Sequence, residues 1–219
     1  LITVINAFNF LDNMDGLTGG VCVAMSLVLA GFSVLSGHVF MTAAYLALAG
    51  AVLGFLPSNW SPARLFMGDS GSLTIGYALA ALTINSRFAS PDAPTGLPVL
   101  IPAIILSVPL FDTLSVLFIR WRSGTPLMRG DTNHLSHRLV ALGFSRPQAV
   151  GFICVLTLVT ALMALPLLYL PWEGAALHAL SIGALFCLIF ILERVARKNL
   201  DRSPRLAPGE AMAPPDRSD

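Results

Sequence analysis

The chain has 219 residues, of which 55% are hydrophobic and only 11% charged, with a formal net charge of +1. Soluble domains carry about a quarter charged residues, so this composition excludes an ordinary soluble fold. It gives no basis for nucleic-acid binding either, because the basic residues form no patch interleaved with aromatics. Cys22, Cys154 and Cys187 lie far apart inside apolar runs without a CxxC pair, which argues for packing rather than a disulfide framework or a zinc site.

Residue 1 is a leucine within an apolar stretch, and no signal peptide is visible. The sequence reads as the C-terminal part of a longer protein, with residues 1–11 as the end of an earlier span. Six spans follow, over residues 17–36, 39–57, 70–86, 99–119, 148–170 and 174–192. The expected fold is all-α, a polytopic transmembrane helical bundle of about six spans. Residues 1–196 form the transmembrane domain, and the Pro-, Ser- and charge-rich residues 197–219 form a disordered tail.

Before the first full span, Asn6, Asn9, Asp12 and Asp15 recur every three residues. Each step of three drifts about 60° around a helix. The four cannot all face one ligand from a straight helix, so either the helix ends near Asp12 or they serve different parts of a large ligand. Gly16, Gly19 and Gly20 fit a break or a tight packing point. Capping of the next helix accounts for one or two of these residues but not for four beside an apolar span.

Gly68-Asp69-Ser70-Gly71-Ser72 opens the third span. Asp69 or Ser70 could be a helix cap. The same helix start also offers free N–H groups to a phosphate, and Asp69 could hold a bridging metal.

Asp112 lies inside the fourth span, where a carboxylate faces the bundle interior or pairs with an arginine of the following loop. That loop, residues 120–147, carries Arg120, Arg122, Arg129, Asp131, His134, His137 and Arg138. Arginines in such a loop commonly serve topology. Two histidines three apart can donate to phosphate oxygens or move a proton near neutral pH. His38 and His178 sit away from the motifs, and Trp60, Trp121 and Trp172 suit an interfacial belt.

With six spans, the three motifs fall on one side of the membrane. That side carries Arg64, Arg120, Arg122, Arg129, Arg138, Arg146, Arg194, Arg197, Lys198, Arg202, Arg205 and Arg217, and the other carries only Arg87. The positive-inside rule makes the motif side cytoplasmic. Carboxylates gathered at such a boundary suggest divalent-metal chemistry on a phosphorylated substrate.

The three ordered motifs, from Asn6 to about Gly143, resemble the polyprenyl-phosphate N-acetylhexosamine-1-phosphate transferases, glycosyltransferase family 4. The resemblance implies a bacterial inner-membrane enzyme with its active site on the cytoplasmic face. It would transfer a sugar-1-phosphate, expected to be GlcNAc-1-phosphate, from a UDP-N-acetylhexosamine to undecaprenyl or another polyprenyl phosphate, with Mg2+ or Mn2+. This is the first membrane step of an envelope polysaccharide. By motif match, Asn9 and Asp69 take metal positions. Asp12, Asp15 and His134 take catalytic ones. Asn6, Ser70, Arg129, His137 and Arg138 take substrate-binding ones. Asp112 and Arg120 match the Asp-to-Arg run leading into the histidine element. Partners are the donor, the lipid phosphate and the bilayer, with a homodimer as one assembly.

Two departures from the family pattern stand out. Ser136 replaces the middle histidine of His-x-His-His, and the family's upstream Asp-Asp pair is not in this chain. The 219 residues alone are therefore expected to be inactive. The three-histidine signature of the muramoyl-pentapeptide branch is missing, which favours the GlcNAc-1-phosphate branch. That muramoyl branch, a membrane transporter and an inactive scaffold are the alternatives. Transport calls for charges near the midplane at broken helices, and among the motif residues only Asp112 lies deep.

Overall fold

The structure, a computed structural model, describes residues 1–88, 96–124, 126 and 134–202. Among the described residues there are only helices and turns, with no strand. Helix α1 spans Ile2–Leu11, α2 Leu17–Leu35, α3 Val39–Asn59 and α4 Gly68–Asn85. A 3-10 turn at Leu97–Leu100 leads into α5 (Ile101–Ile105) and α6 (Ser107–Ser123). The short α7 (Leu135–Ala141), then α8 (Arg146–Leu162) and α9 (Trp172–Arg202) complete the chain.

The chain is a multi-pass membrane protein. Four stretches, Leu17–Leu35, Val39–Asn59, Arg146–Leu168 and Trp172–Ile191, are long and apolar enough to cross a bilayer. A fifth is broken: Pro98–Ile105 and Ser107–Ser123 meet at a 64° bend. The sequence predicts one continuous span over 99–119, and the difference has a local cause. Pro109 has no N–H for the Ile105 carbonyl, and its ring crowds that carbonyl. The span expected over 70–86 is indeed a helix, but Asp69, Ser70, Ser72, Thr74, Thr83 and Asn85 make it less apolar than the others.

Helix α2 is the hub. It is 72% buried, whereas α3 is 17% buried and α9 11%. It packs against α3 on one side and α8 on another, while α1 packs against α4 and α6. Phe8, Leu11, Leu17, Val21, Met25, Leu29 and Phe32 form a continuous core along α1 and α2, joined by Tyr45, Leu79, Ile105 and Ile153. Between spans in a bilayer such a core is held by close van der Waals packing rather than by exclusion of water. The outward faces carry Leu46, Leu53, Tyr77, Val155, Leu177 and Leu188, a surface suited to lipid.

Helix α9 runs on to Arg202, past residue 197 where the sequence places the start of the tail. Residues 203–219 lie outside the described residues.

Candidate functional site

The site begins where α1 ends. Asp12 is the C-terminal cap of α1, so the helix stops before Asp15, the first of the two solutions the threefold spacing allows. Helix α1 lies close along α4 because Gly76 has no side chain: a Cβ there would stand 2.9 Å from the Ile5 Cα. This contact sets Asn9 against the first turn of α4. Asn9 Nδ2 donates to Asp69 Oδ1 at 3.0 Å and to Ser72 Oγ at 3.1 Å. Ser72 Oγ in turn donates to the Gly68 carbonyl at 3.1 Å. With its amino group turned to α4, Asn9 keeps its carbonyl oxygen for another partner.

Asp69 is not a cap. Helix α4 starts at Gly68 with Met67 in the cap position and no capping side chain, and Asp69 stands in its first turn. The next helix, α2, is likewise headed by Gly16, at φ +77°, without a capping side chain. Neither helix is thus capped by a side chain at its own cap position.

Asp12 lies in the connector between α1 and α2, half-buried. Burial pushes its carboxyl above the usual range. The Thr18 hydroxyl opposes this, the charge of Asp69 adds to it, and the Gly68 N–H opposes it again. Two carboxylates and an amide oxygen at one helix junction make a hard-oxygen donor set that fits Mg2+ or Mn2+. Among the described residues, no group of three or more His, Cys, Asp or Glu gathers as a metal cage.

Asp15 faces the other way. Its Oδ2 accepts the Ala63 N–H at 3.1 Å. Asn59, at the end of α3, accepts the Gly16 N–H at 3.0 Å and donates to the Leu65 carbonyl at 2.9 Å. The two side chains fold the connector after α3 over the start of α2. A small cavity of about 100 Å³ opens here, lined by Asn13, Met14, Asp15, Ser61, His137 and Arg146.

The third segment closes over the first. Ser136 Oγ, fully buried, donates to Asn13 Oδ1. The hydroxyl that departs from the family's histidine pattern therefore ties α7 to the first motif. His134 is 6% exposed, with its ring centroid 6.3 Å from that of Phe10, the neighbour of Asn9. Its Nδ1 lies 2.8 Å from Asp112 Oδ2, and Asp112 Oδ1 accepts the Leu135 N–H at 2.6 Å. Asp112 is in the bundle interior, as its sequence position suggests, but its partners are a histidine and a backbone N–H that the sequence does not point to.

The other candidates divide. His137 lines the Asp15 cavity. Ser70 is exposed on α4 beside an apolar groove that also includes Leu48, Val52, Phe55 and Met67. Asn6 is exposed and donates back to the Ile2 carbonyl at 3.0 Å, one turn before Asn9. Arg138 and Arg120 are buried, and Arg138 Nη2 donates to Ser115 Oγ at 2.9 Å, which sets it within the α6–α7 packing. Arg129 and Asp131 lie outside the described residues. Sequence reasoning missed Asn59, Asn13 and Ser72. A buried amide at the end of an apolar helix was the available signal for Asn59.

These features define a class: a multi-pass membrane protein whose carboxylate, amide and histidine side chains converge at one end of a helical bundle. The model of glycosyl transferase family 4 matches residues 1–87. The probable undecaprenyl-phosphate N-acetylglucosaminyl 1-phosphate transferase of Bacillus subtilis is 32% identical over 90% of this chain and 52% of its own length. The decaprenyl-phosphate N-acetylglucosaminephosphotransferase of Mycolicibacterium smegmatis is 38% identical over 68% of this chain and 41% of its own length. A phospho-N-acetylmuramoyl-pentapeptide-transferase of Moorella thermoacetica is 34% identical over 77% of this chain and 50% of its own. These matches are consistent with glycosyl transferase family 4, the polyprenyl-phosphate N-acetylhexosamine-1-phosphate transferases. It spans about half the length of the curated relatives it matches.

Proposed function

We propose that the whole protein transfers GlcNAc-1-phosphate from UDP-GlcNAc to undecaprenyl phosphate on the cytoplasmic face of a bacterial inner membrane. In this reading an oxygen of the lipid phosphate attacks the β-phosphorus of the nucleotide sugar. The bond from that phosphorus to the oxygen bridging to UMP breaks, and UMP leaves as lipid-diphospho-GlcNAc forms. The observation that carries the reading is the meeting of Asn9, Asp12 and Asp69 at the junction of α1 and α4, in a chain whose relatives bear polyprenyl-phosphate transferase names.

Asn9, Asp12 and Asp69 would hold Mg2+ or Mn2+. The ion, when bound, supplies charge neutralisation of the diphosphate and of the departing phosphate. Asn9 is pre-set for this role, because its amino group is spent on Asp69 and Ser72 and its carbonyl oxygen is left to bind. Asp15 and His137, on the small cavity, would hold the nucleotide end of the donor. His134 would donate to a diphosphate oxygen. The lipid phosphate is anionic at neutral pH and needs no strong base to attack.

A radiolabel transfer assay on the complete protein tests the reading, with UDP-GlcNAc, undecaprenyl phosphate and Mg2+ in detergent. Label should enter the lipid phase with wild type and fall by at least about 100-fold with Asp69→Ala. Label entering only from UDP-MurNAc-pentapeptide would move the protein to the muramoyl branch. No transfer from any UDP-N-acetylhexosamine would sink the enzyme reading.

A further inference from the structure

We propose that Asp112 is the positioning residue of His134. On this proposal it fixes the Nδ1–H form of the ring and leaves Nε2 as the atom that meets the substrate. The inference rests on the transferase reading for what Nε2 touches, but not for the state of the ring.

The two oxygens of Asp112 divide two tasks at the start of α7. Oδ1 takes the Leu135 N–H at 2.6 Å and Oδ2 faces His134 Nδ1 at 2.8 Å. His134 is the N-cap of α7 yet makes no capping bond with its own side chain. The first N–H groups of a helix have no partner within it, so Asp112 serves as a cap reaching over from α6. The same carboxylate then settles the ring. A carboxylate oxygen only accepts, so Nδ1 must carry the hydrogen. In the neutral imidazole this leaves Nε2 as the acceptor, and in the charged ring it leaves Nε2–H as the second donor. Every proton or hydrogen bond that His134 exchanges with a ligand must therefore pass through Nε2.

The surroundings hold this arrangement still. Asp112 is 1% exposed and His134 6%, so water does not compete for Oδ2. The backbone N–H on Oδ1 restrains the carboxylate from turning. In the same first turn of α7 Ser136 donates to Asn13, so α7 cannot slide along the first motif. Phe10 stands beside the ring, one residue from Asn9. A carboxylate that anchors both the ring and the backbone next to it gives orientation as well as tautomer, as in second-shell carboxylate–histidine pairs.

Asp112→Asn separates positioning from mere support of the fold. The Asn Oδ1 can still accept the Leu135 N–H, while its amino group faces Nδ1 and demands the opposite tautomer. In the complete protein labelled with 15N-histidine, spectra in alkaline buffer should show His134 with Nδ1–H and a bare Nε2. The signal is assigned by its loss in His134→Gln. Asp112→Asn should invert the pattern. The same variant should lower kcat by about 10- to 100-fold, with the UDP-GlcNAc KM changed by less than about twofold. Adding it to His134→Gln should cause no further loss. A wild-type ring with its hydrogen on Nε2 overturns the proposal. So does near wild-type activity of a tautomer-inverted Asp112→Asn, or losses that multiply in the double variant. The NMR readout needs no turnover, so absence of transferase activity would count against the enzymatic reading alone.

Discussion

Asp12 is half-buried, placed at the C-terminal end of a helix and faced by a second carboxylate. Each of these disfavours its charge. With its folded pKa raised above the ordinary value of 3.8, the fold prefers the protonated form. That preference stabilises the protein fully below 3.8 and is lost as pH rises through the raised value. At neutral pH without divalent metal, the ionised side chain therefore weakens the fold. Asp12→Asn should raise the Tm of the detergent-solubilised protein under those conditions, and the gap should close on acidification to about pH 4. Mg2+ should then stabilise wild type and leave the variant nearly unmoved. An equal or lower Tm for metal-free Asp12→Asn at neutral pH would show that the carboxylate carries no such penalty. Little of this was legible residue by residue. The spacing of Asn6, Asn9, Asp12 and Asp15 marked the segment and allowed a helix end near Asp12. The division of labour within it depends on partners far away in sequence: Asp69 and Ser72 for Asn9, Ala63 for Asp15.

Among the elements, the hairpin of α2 and α3 was the most legible, because two long apolar runs flank Gly37-His38 and Gly37 takes φ +70° as the turn demands. The bend between α5 and α6 was hidden inside one apolar run, although Pro102 and Pro109 marked where a straight helix would fail. Capping of α2 and α4 was a fair inference from Asp and Ser near their starts, yet Gly16 and Gly68, both at positive φ, set the turns instead. The pairing of α1 with α4 had no signal in periodicity and turns on Gly76. A methyl group there would stand 2.9 Å from Ile5 Cα, 3.1 Å from Phe8 Cβ and 3.2 Å from the Ile5 carbonyl oxygen. None of these is the free end of a flexible side chain, so the helices must part. Gly76→Ala should cost about 1–3 kcal/mol of stability. It should also cost transfer activity, because the 3.0 Å contact of Asn9 with Asp69 spans the same interface. Unchanged stability and activity would mean that α1 and α4 adjust without loss, and that their close approach does not set the site.

At the scale of the whole molecule, polarity is sorted by end. Asp15 with Ala63, Gly16 with Asn59, and Asn13 with Ser136 join three connectors at one end of the bundle. At the other end, Gly37, His38, Val39, Asn85 and Arg87 line a single cavity. Twelve of the thirteen Lys and Arg residues belong by sequence to the first end. Alternation of spans brings the three motifs together only if the 99–119 run crosses once despite its bend. The ties between connectors are the independent sign that it does, since Ser136 follows that run and Asn13 precedes it. Under the positive-inside rule this charge bias predicts a cytoplasmic motif end, and that orientation can be tested directly. In a background with Cys22, Cys154 and Cys187 replaced, a cysteine at Val39, 81% exposed at the start of α3, should react with a membrane-impermeant maleimide on intact spheroplasts. A cysteine at Arg64, exposed on the connector after α3, should react only after permeabilisation. The reverse pattern would place the carboxylate cluster outside, away from any cytoplasmic nucleotide sugar, and would remove the proposed donor. Labelling of both positions in intact spheroplasts would mean that α3 does not cross the membrane. The sorting of motifs by span alternation would then fail with it.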